Sequence, residues 1–361
     1  MDQPLFLPRD HFDQLIEQLG TAGYRCLGPM VRDGVIVYRP IGTSRELPRG
    51  IGDDQAPGRY RLTANASRHW FDWANGPQAL KPLTFAPRET LWRARRDDQG
   101  RLEFIETIPE VEKQAVIGVR ACDLAALALQ DRHFKDDPHY RARRAALLLV
   151  AVHCNRPAAT CFCHATGDGP RATSGFDIAL HELDDGFLLE TGSRRGESIA
   201  ATLPLRDSTA PQRRAAAQAT AAAIEAQSRK HPLPNLQAPL PARLDHPRWD
   251  TIANRCLDCG NCTAVCPSCF CHRQRDEATL DGSSSDHLRE WDSCFTRGHS
   301  YIHGVVIRAT TAQRYRQWLL HKLLFWHDQY GRSGCVGCGR CITWCPAGID
   351  LTEEVHALVA D

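Results

Sequence analysis

No stretch of this chain is apolar for long enough to cross a bilayer. The longest clearly apolar run, Ala145 to Val152, falls far short of the ~20 residues a spanning helix needs. Net charge is lacking too: 44 Lys and Arg oppose 43 Asp and Glu, leaving +1. Composition therefore offers no matching field to nucleic acid or to an anionic membrane, and neither is an expected partner. The start, MDQPLFLPRD, has an acid and two prolines where a secretory leader has basic residues and then an apolar stretch, so the expected location is cytoplasmic. There is no G-x-G-x-x-G and no Walker loop, so no flavin or NAD(P) is expected to be bound by this chain. A C-x-x-C-H haem site is missing as well, because Cys163-His164 and Cys271-His272 each close a C-x-C. No acid–base or nucleophilic constellation stands out. Lone histidines such as His303, His321 and His327 are read as surface or core residues, and the chain alone is expected to turn over no substrate.

Cysteine is abundant, with 16 in 361 residues. In a small secreted chain that number would mean disulfides; here it points to reduced or metal-bound thiols. Cys256, Cys259, Cys262 and Cys266 are spaced C-x2-C-x2-C-x3-C and followed by Pro267, and Cys335, Cys338, Cys341 and Cys345 repeat the spacing before Pro346. This is the bacterial ferredoxin signature, in which the fourth cysteine of each run ligates the other cluster. One [4Fe–4S] cluster is thus assigned to Cys256, Cys259, Cys262 and Cys345, and the second to Cys335, Cys338, Cys341 and Cys266. A pair of zinc sites is the bland alternative, since C-x2-C also suits zinc, although zinc gives no reason for the Cys-Pro that ends each run.

The length suggests two or three domains. Asp10 is placed to cap a helix with Phe12, Leu15, Ile16 and Leu19 on one face, and Asp33-Gly34 reads as a hairpin turn. Residues 42–80 are polar and turn-rich and read as a long loop. Ala115–Val119 and Ala145–Val152 read as buried strands, the first followed by a helix from Cys122 to Gln130, which suggests a partly parallel α/β sheet. Asp184-Asp185-Gly186 marks another hairpin. An alanine-rich helix from Pro211 to about Lys230 leads to a stiff linker studded by Pro232, Pro234, Pro239, Pro241 and Pro247. The expected units are therefore an α/β domain over 1–210, a helix and linker over 211–247, and a cluster domain over 248–361. In the last, 308–330 reads as a helix burying Trp318, Leu319, Lys322, Leu323 and Trp326.

Four cysteines remain in the first half. Cys122 and Cys154 each follow a strand, and in a parallel sheet the carboxyl ends share one edge. Cys161-Phe162-Cys163 adds two thiols from the next loop. The set suits a third iron–sulfur cluster, against zinc or four buried free thiols. Cys269, Cys271 and Cys294 are additional metal-ligand candidates, with His272 able to complete a Cys3His zinc site; packing around a cluster is the alternative. Cys26 reads as core.

In order along the chain, GVRACDLAAL, the YRARR segment, HC-x6-CFC, GFDIALHEL, RCLDCGNCTAVCPSCFC, WDSCF and CVGCGRCITWCPAGIDL resemble the iron–sulfur β subunit of cytoplasmic NAD(P)-linked [NiFe] hydrogenases, or sulfhydrogenases. The corresponding iron–sulfur subunit of anaerobic sulfite reductase belongs to the same family. The resemblance covers roughly residues 110–361. It implies an electron-transfer subunit with three [4Fe–4S] clusters, the first held by Cys122, Cys154, Cys161 and Cys163. It implies an FAD/NAD(P)H-binding reductase subunit on one side and the [NiFe] hydrogenase small and large subunits on the other. Sixty-eight residues separate Cys266 from Cys335, so the implied fold is α+β, with an all-helical dicluster ferredoxin domain after the α/β domain. The rival functions are the same relay in a sulfite or sulfur reductase, and a zinc-binding scaffold.

Overall fold

The structure, a computed structural model, describes residues 3–229 and 236–360. An eight-stranded sheet fills the first half. Its centre is four parallel strands in the spatial order Ile178–Glu182, Leu147–Val152, Gln114–Val119 and Arg25–Arg32. Antiparallel strands flank them: Gly186–Thr191, Leu5–Pro8 and Arg206–Asp207 on one side and Val35–Pro40 on the other. Central parallel strands are covered on both faces, so they carry continuous apolar runs whose alternate residues serve two cores. Leu148, Val150 and Val152 pack with Phe12, Leu15 and Leu19 of the helix Phe12–Thr21. Leu147, Leu149 and Ala151 pack with Leu124 and Leu127 of the helix Ala121–His133. The Asp33-Gly34 turn has both residues at positive φ, the type I′ geometry that suits a two-residue hairpin.

Three expectations are corrected. Residues 42–80 are not only loop: Ile51–Ala56 and Arg59–Ala64 form a hairpin around Pro57-Gly58. The remainder sends Trp70, Phe71 and Trp73 into the core. The polar composition hid this, because these aromatics are spaced for irregular backbone and show neither period. Second, the cluster half is not all-helical. His272–Ala278 and Ser284–Trp291 form a hairpin that pairs with Arg88–Arg96 and, through it, Leu102–Glu106. Its arginines alternate with acids and were illegible as strands, since the buried anchor is an ion pair: Arg289 holds Glu89 at 2.6 and 3.0 Å. Third, the linker is packed where it is described. Leu236 and Leu240 are buried with Trp249 and Ile252. Lys230, Pro232 and Pro234 lie outside the described residues, and the alanine-rich helix runs Ala210–Glu225.

The helix read over 308–330 is Thr311–Leu320, a π turn at His321–Phe325, and Trp326–Tyr330, ended by Gly331 at φ +69°. Trp318, Leu319, Lys322, Leu323 and Trp326 are all buried, as the spacing predicts. No helix among the described residues is long and apolar enough to cross a membrane.

Candidate iron–sulfur centres

The two ferredoxin runs share one backbone course. Asp258 and Gly337 occupy equivalent positions at φ +52° and +63°, and Gly260 and Gly339 at +70° and +74°. Gly260 and Gly339 then precede the short helices Asn261–Ala264 and Arg340–Thr343. Left-handed residues at these two points curl each loop so that its cysteines face inward. The run that starts at Cys335 needs glycine for a further reason. A Cβ on Gly337 would lie 2.6 Å from the Cys163 backbone, and one on Gly339 2.5 Å from the Thr160 carbonyl. In the first run Asp258 can stand at the corresponding point, where Arg314 and Thr311 hold its carboxylate.

The first set gathers as the spacing requires. Cys256, Cys259, Cys262 and Cys345 line one cavity with Phe295, Tyr315, Trp318, Ile349 and Leu351. Cys345 is an electrostatic neighbour of both Cys256 and Cys262. In the second set Cys341 interacts with Cys335, Cys338 and Cys266. The fourth cysteine of each run thus sits with the other run, although the insert between them is long. Of the first set Cys259 is exposed, whereas Cys266, Cys335 and Cys338 of the second are buried.

The third set forms at the sheet edge. Gln114–Val119 and Leu147–Val152 are adjacent and parallel, so Cys122 and Cys154 each lie just past the same edge of the sheet. A bulge at Gly118, at φ +91°, turns the first strand into the helix that begins Ala121-Cys122. Cys161 interacts with Cys163 and Cys154, and Cys122 with Cys163. This set abuts the second directly. Cys122, Cys163 and Cys338 share one buried cluster, the Phe162 amide donates to the Gly337 carbonyl at 2.8 Å, and Asn75 Nδ2 donates to the Cys338 carbonyl at 2.9 Å. Cys341 is in turn a neighbour of Cys262. The sets therefore run in a row, from Cys122/Cys154 through Cys335/Cys266 to Cys256/Cys345.

Several contacts that frame the sets were not legible in the sequence. Asp123 and Arg340, each 1% exposed, form a two-point ion pair at 2.6 and 3.1 Å between the helix carrying Cys122 and the run carrying Cys338. Arg120 donates to the carbonyls of Phe71 and Ala74 at 2.9 and 3.1 Å, which fixes Asn75. Gln227 Nε2 lies 3.5 Å from Cys163 Sγ. Lys322 Nζ donates to Ser268 Oγ at 3.1 Å, and Cys266 Sγ lies 3.4 Å from that oxygen. The helical period puts Lys322 on a buried face, but its partner lies 54 residues away in sequence and leaves no local signal.

Cys269, Cys271 and Cys294 lie together but differently. Cys271 is an electrostatic neighbour of both other thiols, and Cys269 lies near Lys81 and Lys322. His272 Nδ1 is engaged by the Phe270 carbonyl at 3.0 Å. Among the described residues no three His, Cys, Asp or Glu side chains converge as ligands of a single ion would. Cys26 is core, bonded to the Ile16 carbonyl.

The donor chemistry of the three sets suits a cluster. Burial pushes the Cys163 and Cys335 thiols up to about 12 and those of Cys122, Cys161, Cys262 and Cys341 well above their ordinary range. Thiolates in such places need a cationic partner, which iron supplies as it displaces the protons. Cys266 is the exception: burial raises it, but Lys322 beside it turns the net shift downward. Tyr315 Oη and Trp318 Nε1 are buried with no hydrogen-bond partner among the described residues, and both side chains line the cavity of the first set. A buried donor left unmet costs about 1–3 kcal/mol, and cluster sulfur is an acceptor that would meet them.

Comparison with known proteins defines the class first. Residues 255–349 match the family described as 4Fe-4S dicluster domain. With that match, the zinc alternative for the two runs falls away. The chain is 30% identical to sulfhydrogenase 2 subunit beta of Pyrococcus furiosus over 291 residues, 76% of this chain and 82% of that protein. It belongs to the family of sulfhydrogenase iron–sulfur β subunits, electron-transfer proteins with [4Fe–4S] clusters. No solved structure matches the chain.

Proposed function

We propose that this chain is the electron-transfer subunit of a multi-subunit oxidoreductase, relaying single electrons between an FAD/NAD(P)H-binding partner and a [NiFe] hydrogenase. Three [4Fe–4S] clusters are assigned: Cys122, Cys154, Cys161 and Cys163 hold one; Cys266, Cys335, Cys338 and Cys341 the next; Cys256, Cys259, Cys262 and Cys345 the last. Bound there, each cube would take up and release one electron, at a potential set by burial and hydrogen bonds to sulfur. The observation that carries the reading is the contiguity of three four-cysteine sets, the middle one buried between the others. Around that middle set Lys322 supplies a buried positive charge, which Cys266, Cys269 and Cys335 keep protonated against the desolvation that opposes it. Gly337 and Gly339 let the loop that carries Cys338 lie flat on the loop that carries Cys161 and Cys163.

The purified chain is expected to contain no FAD and to show no NAD(P)H oxidation. Dithionite should bleach it, and NADH or NADPH should do so only after a flavoprotein subunit is added. Flavin absorbance from the isolated chain, with bleaching by NADPH alone, would make it a reductase in its own right. A subtler test uses the unmet donor. Tyr315→Phe should lower one midpoint potential by about 40 mV, the equivalent of a ~1 kcal/mol hydrogen bond at 59 mV per tenfold for one electron. A redox titration with all potentials unmoved would show that the hydroxyl serves no sulfur.

A further inference from the structure

Between Asp292 and Asp328 the chain has no acidic residue, while Arg297, Arg308, Arg314, Arg316 and Lys322 fall inside that span. A short hairpin projects from it. Tyr301–Ile302 pairs with Val305–Val306 across His303-Gly304, both at positive φ. So short a hairpin is not stable alone in water, and its side chains do not turn inward. Tyr301, Ile302, Val305 and Ile307 each keep more than half of their surface in solvent, and so does Leu257 between Cys256 and Cys259.

The hairpin is tied to that cysteine loop. Arg314 donates to the carbonyls of Arg308 and Ala309 at 3.0 Å each and pairs with Asp258, while Thr311 Oγ1 donates to Asp258 at 2.6 Å. Asp258 holds φ +52°, a conformation uncommon for a residue with a side chain and held here by those contacts. The apolar tip, Leu257 and Cys259, the one exposed thiol of the twelve assigned ligands, thus belong to one braced surface. Asp258 and Asp245 neutralise Arg314 and Arg316. Exposed Arg297 and half-buried Arg308, whose Nε is buried without a hydrogen-bond partner, form no ion pair among the described residues.

We propose that this patch is the docking face for an acidic surface of the redox subunit that exchanges electrons with the Cys256 set; the assignment rests on the function proposed above. An exposed apolar centre rimmed by unneutralised cations fits a protein interface whose counterpart is acidic. Its place over the most open cysteine set is where an electron leaving the row would cross to another subunit. A second copy of this chain docking through the same patch about a two-fold axis would meet it with charge of the same sign.

The test uses the complex purified anaerobically with its own subunits, beside the isolated chain. Backbone amides in 299–308 should exchange about tenfold more slowly, or slower still, in the complex, tenfold being equivalent to ~1.4 kcal/mol of protection. Arg297→Lys places a primary amine on the rim, and carbodiimide should link it to an Asp or Glu of a flavin- or cluster-bearing subunit. Ile302→Glu with Val305→Glu should keep wild-type iron content and lose NAD(P)H-driven reduction within the complex. Unchanged exchange in an intact complex overturns the docking assignment, as does a link to a second copy of this chain or to a subunit without a redox group. If the double variant loses iron, the exchange and cross-link results on the stable forms decide. A wild-type chain that contains no iron would instead refute the function on which the proposal rests.

Discussion

Asp123→Ala is expected to destabilise the protein by about 3–5 kcal/mol, because it leaves Arg340 charged and unpaired in the interior. Arg340 is 1% exposed, and its other hydrogen bond, from Nε to the Gly76 carbonyl at 2.8 Å, cannot balance the charge. The loss should appear as a drop on the order of 10 °C in the thermal midpoint of the iron-loaded protein. It should also loosen the contact between the third and second cysteine sets, since Asp123 follows Cys122 and Arg340 lies between Cys338 and Cys341. Replacing both partners together, Asp123→Leu with Arg340→Met, removes the stranded charge and should cost less than the single change. If the single variant melts within about 2 °C of the parent, the pair does not hold these halves together.

The second large effect is on composition. Cys122→Ser should remove the sheet-edge cluster, lowering iron and acid-labile sulfide by about four atoms each, one cube's worth. The spectroscopic signals of the other two clusters should persist. Because Cys122 and Cys338 share a buried cluster, the signal of the middle cluster is expected to shift slightly, and that of the Cys256 cluster to stay put. An unchanged iron count would show that Cys122 is not a ligand.

What could be read beforehand followed from local chemistry. The two runs carry their geometry in spacing, and the left-handed positions at Gly260, Gly337 and Gly339 fit glycines visible in the sequence. The parallel strands announce themselves as apolar runs, and their adjacent carboxyl ends carry Cys122 and Cys154 to one edge of the sheet. The helix face with Trp318, Lys322 and Trp326 was legible by period, down to the lysine. What stayed hidden depends on partners distant in sequence. The hairpin His272–Trp291 is a strand pair because Glu89, about 200 positions earlier, receives Arg289. Asn75 reaches the centres from a segment whose aromatics follow no period. The packing of Gly337 on Cys163 joins two loops that the proline-rich stretch made look independent.

Iron and acid-labile sulfide report directly whether all three cysteine sets hold clusters. Protein purified anaerobically should be brown and carry about twelve iron and twelve sulfide per chain, three cubes of four irons each. About eight of each would remove the cluster assigned to Cys122, Cys154, Cys161 and Cys163 and break the row at its sheet-edge end. A colourless protein without iron would mean that the twelve cysteines hold no cluster.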